Sequence, residues 1–334
     1  RRDNTIPRQL RCLTQEGSSY RFNFRDPSLF SIMNVGGTLK AYRLAMNATG
    51  EYTAFHGGEV SALNAIATTI NRVNSIYMVD VAIRLNIVYS KAWADPNTDP
   101  YTNNNVFAML SENQTETDAS VGDANYDMGH VFGTGDGGVA ALNSVGITGV
   151  KAQGVTGLPQ PVGDPFDVDY VCHEMGHQFG GRHTFANCQG GNDPGNDYEP
   201  GSGTTIMAYA GICGGDNVQM NSDPYFHTHN LDQIVAWRNN PASGGSEAVN
   251  LNAPPTANAN ADITIPRNTP FKLRGTGSDP DNDPITFCWE QFDLGNSSVT
   301  GVLFRSINPS ASNTRFFPKL STVLAGTTDR SEAL

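Results

Sequence analysis

Three of the chain's seven histidines fall within eleven residues, His173-Glu174-Met175-Gly176-His177-Gln178-Phe179-Gly180-Gly181-Arg182-His183. His173 and His177 stand four apart, so on a helix they project from one face, one turn from each other. Two imidazole nitrogens placed that way can reach a single ion at roughly 2.0–2.1 Å each. Glu174 lies beside the pair, where it can hold a water next to the ion without being a ligand. Gly180 can take the positive φ that ends a helix and turns the chain, returning His183 as a third nitrogen ligand. Three protein ligands leave one position open, which separates catalytic zinc sites from closed structural ones. Paired histidines also occur in ordinary cores, but the full pattern has a chance expectation on the order of 10⁻⁵ at average residue usage. The chemistry read here is zinc-assisted hydrolysis.

This pattern resembles the metzincin zinc peptidases. A second mark of that group is a methionine turn, and Thr205-Ile206-Met207-Ala208-Tyr209 fits it, with Met207 24 residues after His183. The resemblance implies that Met207 forms an apolar floor under the imidazoles. Tyr209 matches a tyrosine that can hydrogen-bond the developing oxyanion, although a structural role fits it equally well. The lead-in Gly163–Cys172 and the early segment Leu39–Tyr52 look most like bacterial reprolysin-like (adamalysin-like) peptidases, and the likeness spans about residues 39–246. It implies an α/β catalytic domain with a twisted, mostly parallel sheet and two long helices, followed by an irregular C-terminal subdomain. It also implies hydrolysis of internal peptide bonds through a zinc-bound water, with Glu174 as general base. Gly138, Val139 and Ala140 resemble the edge strand along which such enzymes bind extended substrate. A glycine-rich loop beside a strand explains those residues equally well.

The chain departs from eukaryotic adamalysins at Thr184, where an aspartate is common, and in its cysteines. Of Cys12, Cys172, Cys188, Cys213 and Cys288, none forms a CxxC pair. Cys188 and Cys213 bracket the methionine turn, and a disulfide between them is expected because an irregular segment gains most from a closed loop. Cys172 abuts a ligand but faces away from the ligand side of the helix. Cys12 reads as a disulfide partner or free thiol ahead of the alternative, the remnant of an inhibitory pro-segment thiolate.

Several elements must position these residues. Leu39–Met46 and Val81–Tyr89 alternate as strands, residues 59–78 repeat Val60, Leu63, Ile66 or Ala67, Ile70 and Val73 at helical spacing, and Asn104–Ala119 is a weaker helix. Met128–Phe132 is a short strand ahead of the loop Gly133–Gly138. A helix capped by Asp167 or Asp169 carries the histidines to Gly180, and His229–Asn239 is a closing helix. Strand, helix, strand, helix, strand indicates a mainly parallel α/β layer. Residues 1–38 read as an N-terminal extension or pro-segment remnant, 39–248 as the catalytic domain and 249–258 as a linker. Residues 259–334 resemble a small all-β PKD or Ig-like module, truncated at its end, with strand candidates Ile263–Ile265, Phe271–Leu273 and Ile285–Trp289.

The 334 residues carry a net charge of −12, with 21 Lys+Arg against 33 Asp+Glu. That balance argues against nucleic-acid partners. No run approaches the ~20 apolar residues of a membrane span. A secreted, extracellular bacterial protein acting as a monomer on proteins or peptides is the expectation. The oxygen-rich turns Asn192–Glu199 and Asp279–Asp283 raise structural Ca²⁺ as a second metal, though solvated turns account for both. The competing functions are a non-catalytic zinc-containing adhesion module and a zinc amidase acting on cell-wall peptides.

Overall fold

The computed structural model describes Cys12, Thr14 and residues 36–135, 137–294 and 304–327. The rest of the N-terminal extension, Asp136 of the glycine loop, and 295–303 and 328–334 of the C-terminal module lie outside the described residues. Two compact units emerge, Arg1–Arg182 with Asn230–Val249, and His183–His229 with Asn250–Leu334.

The first unit is built on a sheet. Strand β1 (Thr38–Ala48) pairs in parallel with β2 (Ile83–Ala92) on one side and β3 (Met128–Gly133) on the other. β3 pairs in parallel with β5 (Gly154–Gly157), and β4 (Gly137–Ala140) closes the order β2-β1-β3-β5-β4 as an antiparallel edge. β6 (Ser246–Val249) adds antiparallel to the start of β1. The sheet is thus mainly parallel, and β3, β4 and β5 are buried at every position. β4 begins inside the stretch expected to be a loop, because Gly137 and Gly138 pair with Gly157 and Thr156.

Helix α1 (Gly50–Phe55) is capped by the Thr49 hydroxyl, which accepts from the Tyr52 amide at 3.2 Å. Helix α2 (Glu59–Asp80) buries Ala62, Ile66, Thr69, Ile70, Val73, Ile76 and Tyr77, a stripe at helical spacing. Val60 falls off that stripe and is 74% exposed. Helix α3 (Val106–Ser120) hides polar residues: Asn47 Nδ2 donates to Asn113 Oδ1 at 3.0 Å and Thr117 Oγ1 at 3.1 Å, and Asn113 Nδ2 donates to the Ala152 carbonyl at 2.6 Å. Asn113 and Thr117 therefore belong to a buried hydrogen-bonded network rather than to a solvent face. Three further helical segments run in series, α4 (Asp164–Phe166), a π-helical turn (Asp167–Cys172) and α5 (His173–Gln178), and α6 (Thr228–Asn239) follows later.

The second unit has little regular structure. Residues 183–229 are tied to its C-terminal part by Asn308 Nδ2 to Asp223 Oδ1 at 2.7 Å and by Glu290 Oε2, which accepts from the Thr228 amide at 2.6 Å. β7 (Thr256–Asn258), at the end of the stretch expected to be a linker, pairs with β9 (Thr276–Ser278), and β8 (Phe271–Arg274) pairs with β10 (Thr314–Phe317), ahead of α7 (Leu320–Ala325). Phe271 and Phe317 stack at 4.8 Å. Ile263–Ile265 and Ile285–Trp289 are not strands; Phe287 makes only an isolated bridge to Ser310, and Ile263 is 58% exposed with no face to bury. Among the described residues no helix is long and apolar enough to cross a membrane.

Candidate metal centre

The histidine helix is set on the sheet by its polar residues. Gln178 Nε2 donates to the Gly129 carbonyl at 3.1 Å, and its Oε1 lies 2.9 Å from His130 Nδ1. The other nitrogen of His130 is 2.9 Å from Thr156 Oγ1, and burial pushes the His130 pKa down to about 4, against the Gln178 bond. His130 is thus a neutral core residue bridging α5, β3 and β5. On the other flank, Tyr77 of α2 donates to the Cys172 carbonyl at 2.8 Å. The turn entering His173 is π-helical, a departure from α geometry that recurs at functional sites.

Gly180 has φ of +91°, and its amide and that of Gly181 donate back to the carbonyls of His177 and Gly176, each at 2.8 Å. A side chain there would also strike Asn143 Oδ1 at 2.2 Å. The turn orients a ligand as well, because the Gly181 carbonyl lies 2.7 Å from His177 Nδ1. Nδ1 therefore carries the proton and Nε2 presents its lone pair. His177 Nε2 is 3.1 Å from His173 Nε2, with the rings at 84°. Burial, followed by the neighbouring His173, holds the His177 pKa well below its usual value, as a neutral ligand requires.

The ligand atoms of His173, His177 and Cys12 all lie within 4.8 Å of one another, and all three residues are buried, as is His183 of the second unit. Three imidazoles and a thiol are a donor set that suits zinc. Glu174 is fully buried next to them, and its Oε1 has no hydrogen-bond partner. A buried, unpartnered carboxylate oxygen is costly unless another group meets it there. Burial pushes the Glu174 carboxyl up to about 8, while hydrogen bonds from Cys12 and Thr14 pull it back. The residues present fit a bound zinc ion.

Cys12 is not in a disulfide; its Sγ lies 3.3 Å from His177 Nε2. The residue also forms a parallel bridge with Gly138 of β4. Two residues on, Thr14 Oγ1 donates to Glu174 Oε2 at 3.3 Å and accepts from the Ala140 amide at 2.9 Å. Cys12 and Thr14 thus form a strap beside Gly138 and Ala140 that touches both His177 and the Glu174 carboxylate. Cys12 keeps its thiol rather than a disulfide, one of the two readings preferred from the sequence, but its contact with His177 and the role of Thr14 were not read there. The available signal was one cysteine far upstream of the histidine motif in a chain with an odd cysteine count.

In the second unit, the Tyr209 ring meets His183 edge-on at 4.6 Å and stacks on Phe185 at 4.3 Å. Met207 is fully buried, and its carbonyl lies 3.4 Å from the Thr184 amide. A disulfide joins Cys188 and Cys213. The oxygen-rich turns direct their carboxylates to local bonds, Asn192 to Asp197 and Asn196 to Asp193 at 2.7 Å each, and Asp279 to the amides of Asp281 and Asp283.

The profile of the family described as Metallo-peptidase family M12B Reprolysin-like matches residues 38–236. The search of curated proteins found no match. Among solved structures, one titled "Structure of a chaperone-substrate complex" aligns at 14% identity with a TM-score of 0.35, over 60% of this chain and 36% of that one.

Proposed function

Because the chain belongs to the reprolysin-like M12B metallopeptidases, we propose that it is a secreted zinc endopeptidase with His173, His177 and His183 as ligands and Glu174 as general base. The observation that carries this reading is the set of clustered imidazoles together with a buried carboxylate whose Oε1 is unpartnered. When bound, zinc supplies a Lewis acid that polarises the scissile carbonyl and makes water acidic enough to attack near neutral pH. Glu174 takes the proton of the attacking water and returns it to the leaving amine. It acts in its ionised form, which a neighbouring cation favours against burial.

Gly138–Ala140 offers an edge for an extended protein substrate, and the strap at Cys12 and Thr14 now covers that edge. We take residues 1–38 as a pro-segment whose Cys12 thiol holds the fourth ligand position, so that substrate enters only after the strap leaves. Tyr209, against His183, is the candidate to steady the oxyanion. Met207 serves as the apolar floor, and 259–334 as a PKD or Ig-like spacer or attachment module. The disulfide suits an oxidising compartment outside the cell.

Casein digestion by the full chain carrying Cys12→Ala, with and without 1,10-phenanthroline, tests the reading. Cleavage abolished by the chelator and restored by zinc is expected. Cleavage indifferent to the chelator, or a zinc-loaded chain that leaves casein intact, would contradict it.

A further inference from the structure

Glu199 brings a buried carboxylate to Thr184, the residue that follows His183. Glu199 is fully buried, and its two oxygens gather donors from both ends of the segment between His183 and Met207. Oε1 accepts from the Thr184 hydroxyl at 2.7 Å and, over a short contact, from the Thr205 hydroxyl. Oε2 accepts from the amides of Thr204 at 2.7 Å and Thr205 at 3.1 Å. One oxygen therefore joins the residue after His183 directly to the residue two before Met207.

The backbone is shaped around this contact. The Glu199 and Tyr198 amides donate to the Thr184 carbonyl at 2.9 and 3.0 Å, and the Ala186 amide donates to the Glu199 carbonyl at 2.8 Å. Gly203 has φ of +65°, and a side chain there would lie 3.1 Å from the Glu199 carboxyl carbon and 2.6 Å from the Ala208 side chain. Glycine is the residue that fits both demands. A carboxylate accepting from amides and hydroxyls this deep in the protein makes hydrogen bonds stronger than neutral pairs.

We propose that Glu199 is a positioning residue for the metal centre, holding His183 in register with the Met207 turn through Thr184 and Thr205. The proposal rests on His183 being a zinc ligand, as argued above. Outer partners of this kind change metal affinity by roughly 10–100-fold when lost. Glu199→Gln would turn an amide N–H₂ toward groups that are already donors.

The test measures zinc content and the rate of zinc release to a chelator for the full wild-type chain and for Glu199→Gln, Thr184→Val and Thr184→Ser. Zinc release at least tenfold faster in Glu199→Gln and Thr184→Val is expected, with Thr184→Ser near wild type. The thermal midpoint should fall more in the zinc-loaded form than in the zinc-free form, since a carboxylate that only stiffened the loop would lower both alike. If Glu199→Gln does not fold, the Thr184 pair still decides the matter, because only the hydroxyl differs. Wild-type release from both Glu199→Gln and Thr184→Val overturns the positioning role and leaves the zinc reading intact. A wild-type chain that retains no zinc overturns both.

Discussion

Gly138 and Glu174 are fitted to each other: a methyl group on Gly138 would lie 2.4 Å from Glu174 Oε1 and 2.5 Å from its Cγ. The edge strand and the carboxylate approach so closely that only a residue without Cβ fits between them. A glycine here serves packing rather than a special φ.

Gly138→Ala should therefore displace Glu174 and slow peptide hydrolysis by at least tenfold, while zinc binding persists because the clash falls on Glu174 and not on His173, His177 or His183. The checks are kcat on casein peptides and zinc stoichiometry. Full activity in this variant would show that Glu174 tolerates displacement.

The strap predicts latency. Cys12→Ala, or blocking the thiol with a mercurial, should raise casein cleavage by tenfold or more over the untreated full chain. Thr14→Val should raise it less, since it frees Glu174 Oε2 and the Ala140 amide but leaves the Cys12 thiol in place. An untreated chain as active as Cys12→Ala would remove the inhibitory role of the strap.

His130 gives a stability prediction with a definite sign. Its folded pKa, pushed down to about 4 by burial, lies below the unfolded value near 6.5. Between these values the unfolded chain binds more protons, so its contribution is intact above about pH 6.5 and is lost as pH falls toward 4. The loss amounts to roughly 3 kcal/mol. Urea unfolding across that range should show a decline that His130→Gln flattens; an equal slope in both would contradict the assignment.

Reduction of Cys188–Cys213 should release a loop spanning a separation of 25 residues. Loop-closure entropy puts the cost at roughly 3 kcal/mol. Calorimetry with and without a reductant checks this, and an unchanged melting temperature would mean that the Glu199 contacts alone hold the segment.

Much of the first unit could be read from residue pattern alone. Alternation exposed the start of β2 and the stripe Ile66-Ile70-Val73 exposed α2, because each buries one face, whereas β1 is buried at every position from Leu44 to Ala48 and alternates only before that. Helix α3 was faint because only Val106 and Met109 of its buried side are apolar, while Asn113, Gln114 and Thr117 are buried polar residues that reach Asn47, Tyr126 and the Ala152 carbonyl on other elements. The strands β4 and β5 are four residues each and rich in glycine, which reads as loop until pairing is known. In the C-terminal part Phe271–Leu273 is a strand as expected, but Ile263–Ile265 failed for the opposite reason: Ile263 and Ile265 alternate but are exposed, with no layer to face.

The centre divided in the same way. His173, Glu174 and His177 announce themselves because their chemistry is encoded at local spacing. Cys12 lies 165 residues from His177, and Glu199 lies 15 from Thr184. Their roles depend on contacts that no spacing rule anticipates.

Zinc content and casein cleavage of Glu174→Ala, compared with its parent in the Cys12→Ala background, bear most directly on the proposed mechanism. The prediction is one zinc per chain in both proteins, with cleavage in the variant lower by roughly 10²–10⁴-fold. Cleavage at the parent's rate by the zinc-loaded variant would contradict the assignment of Glu174 as the base.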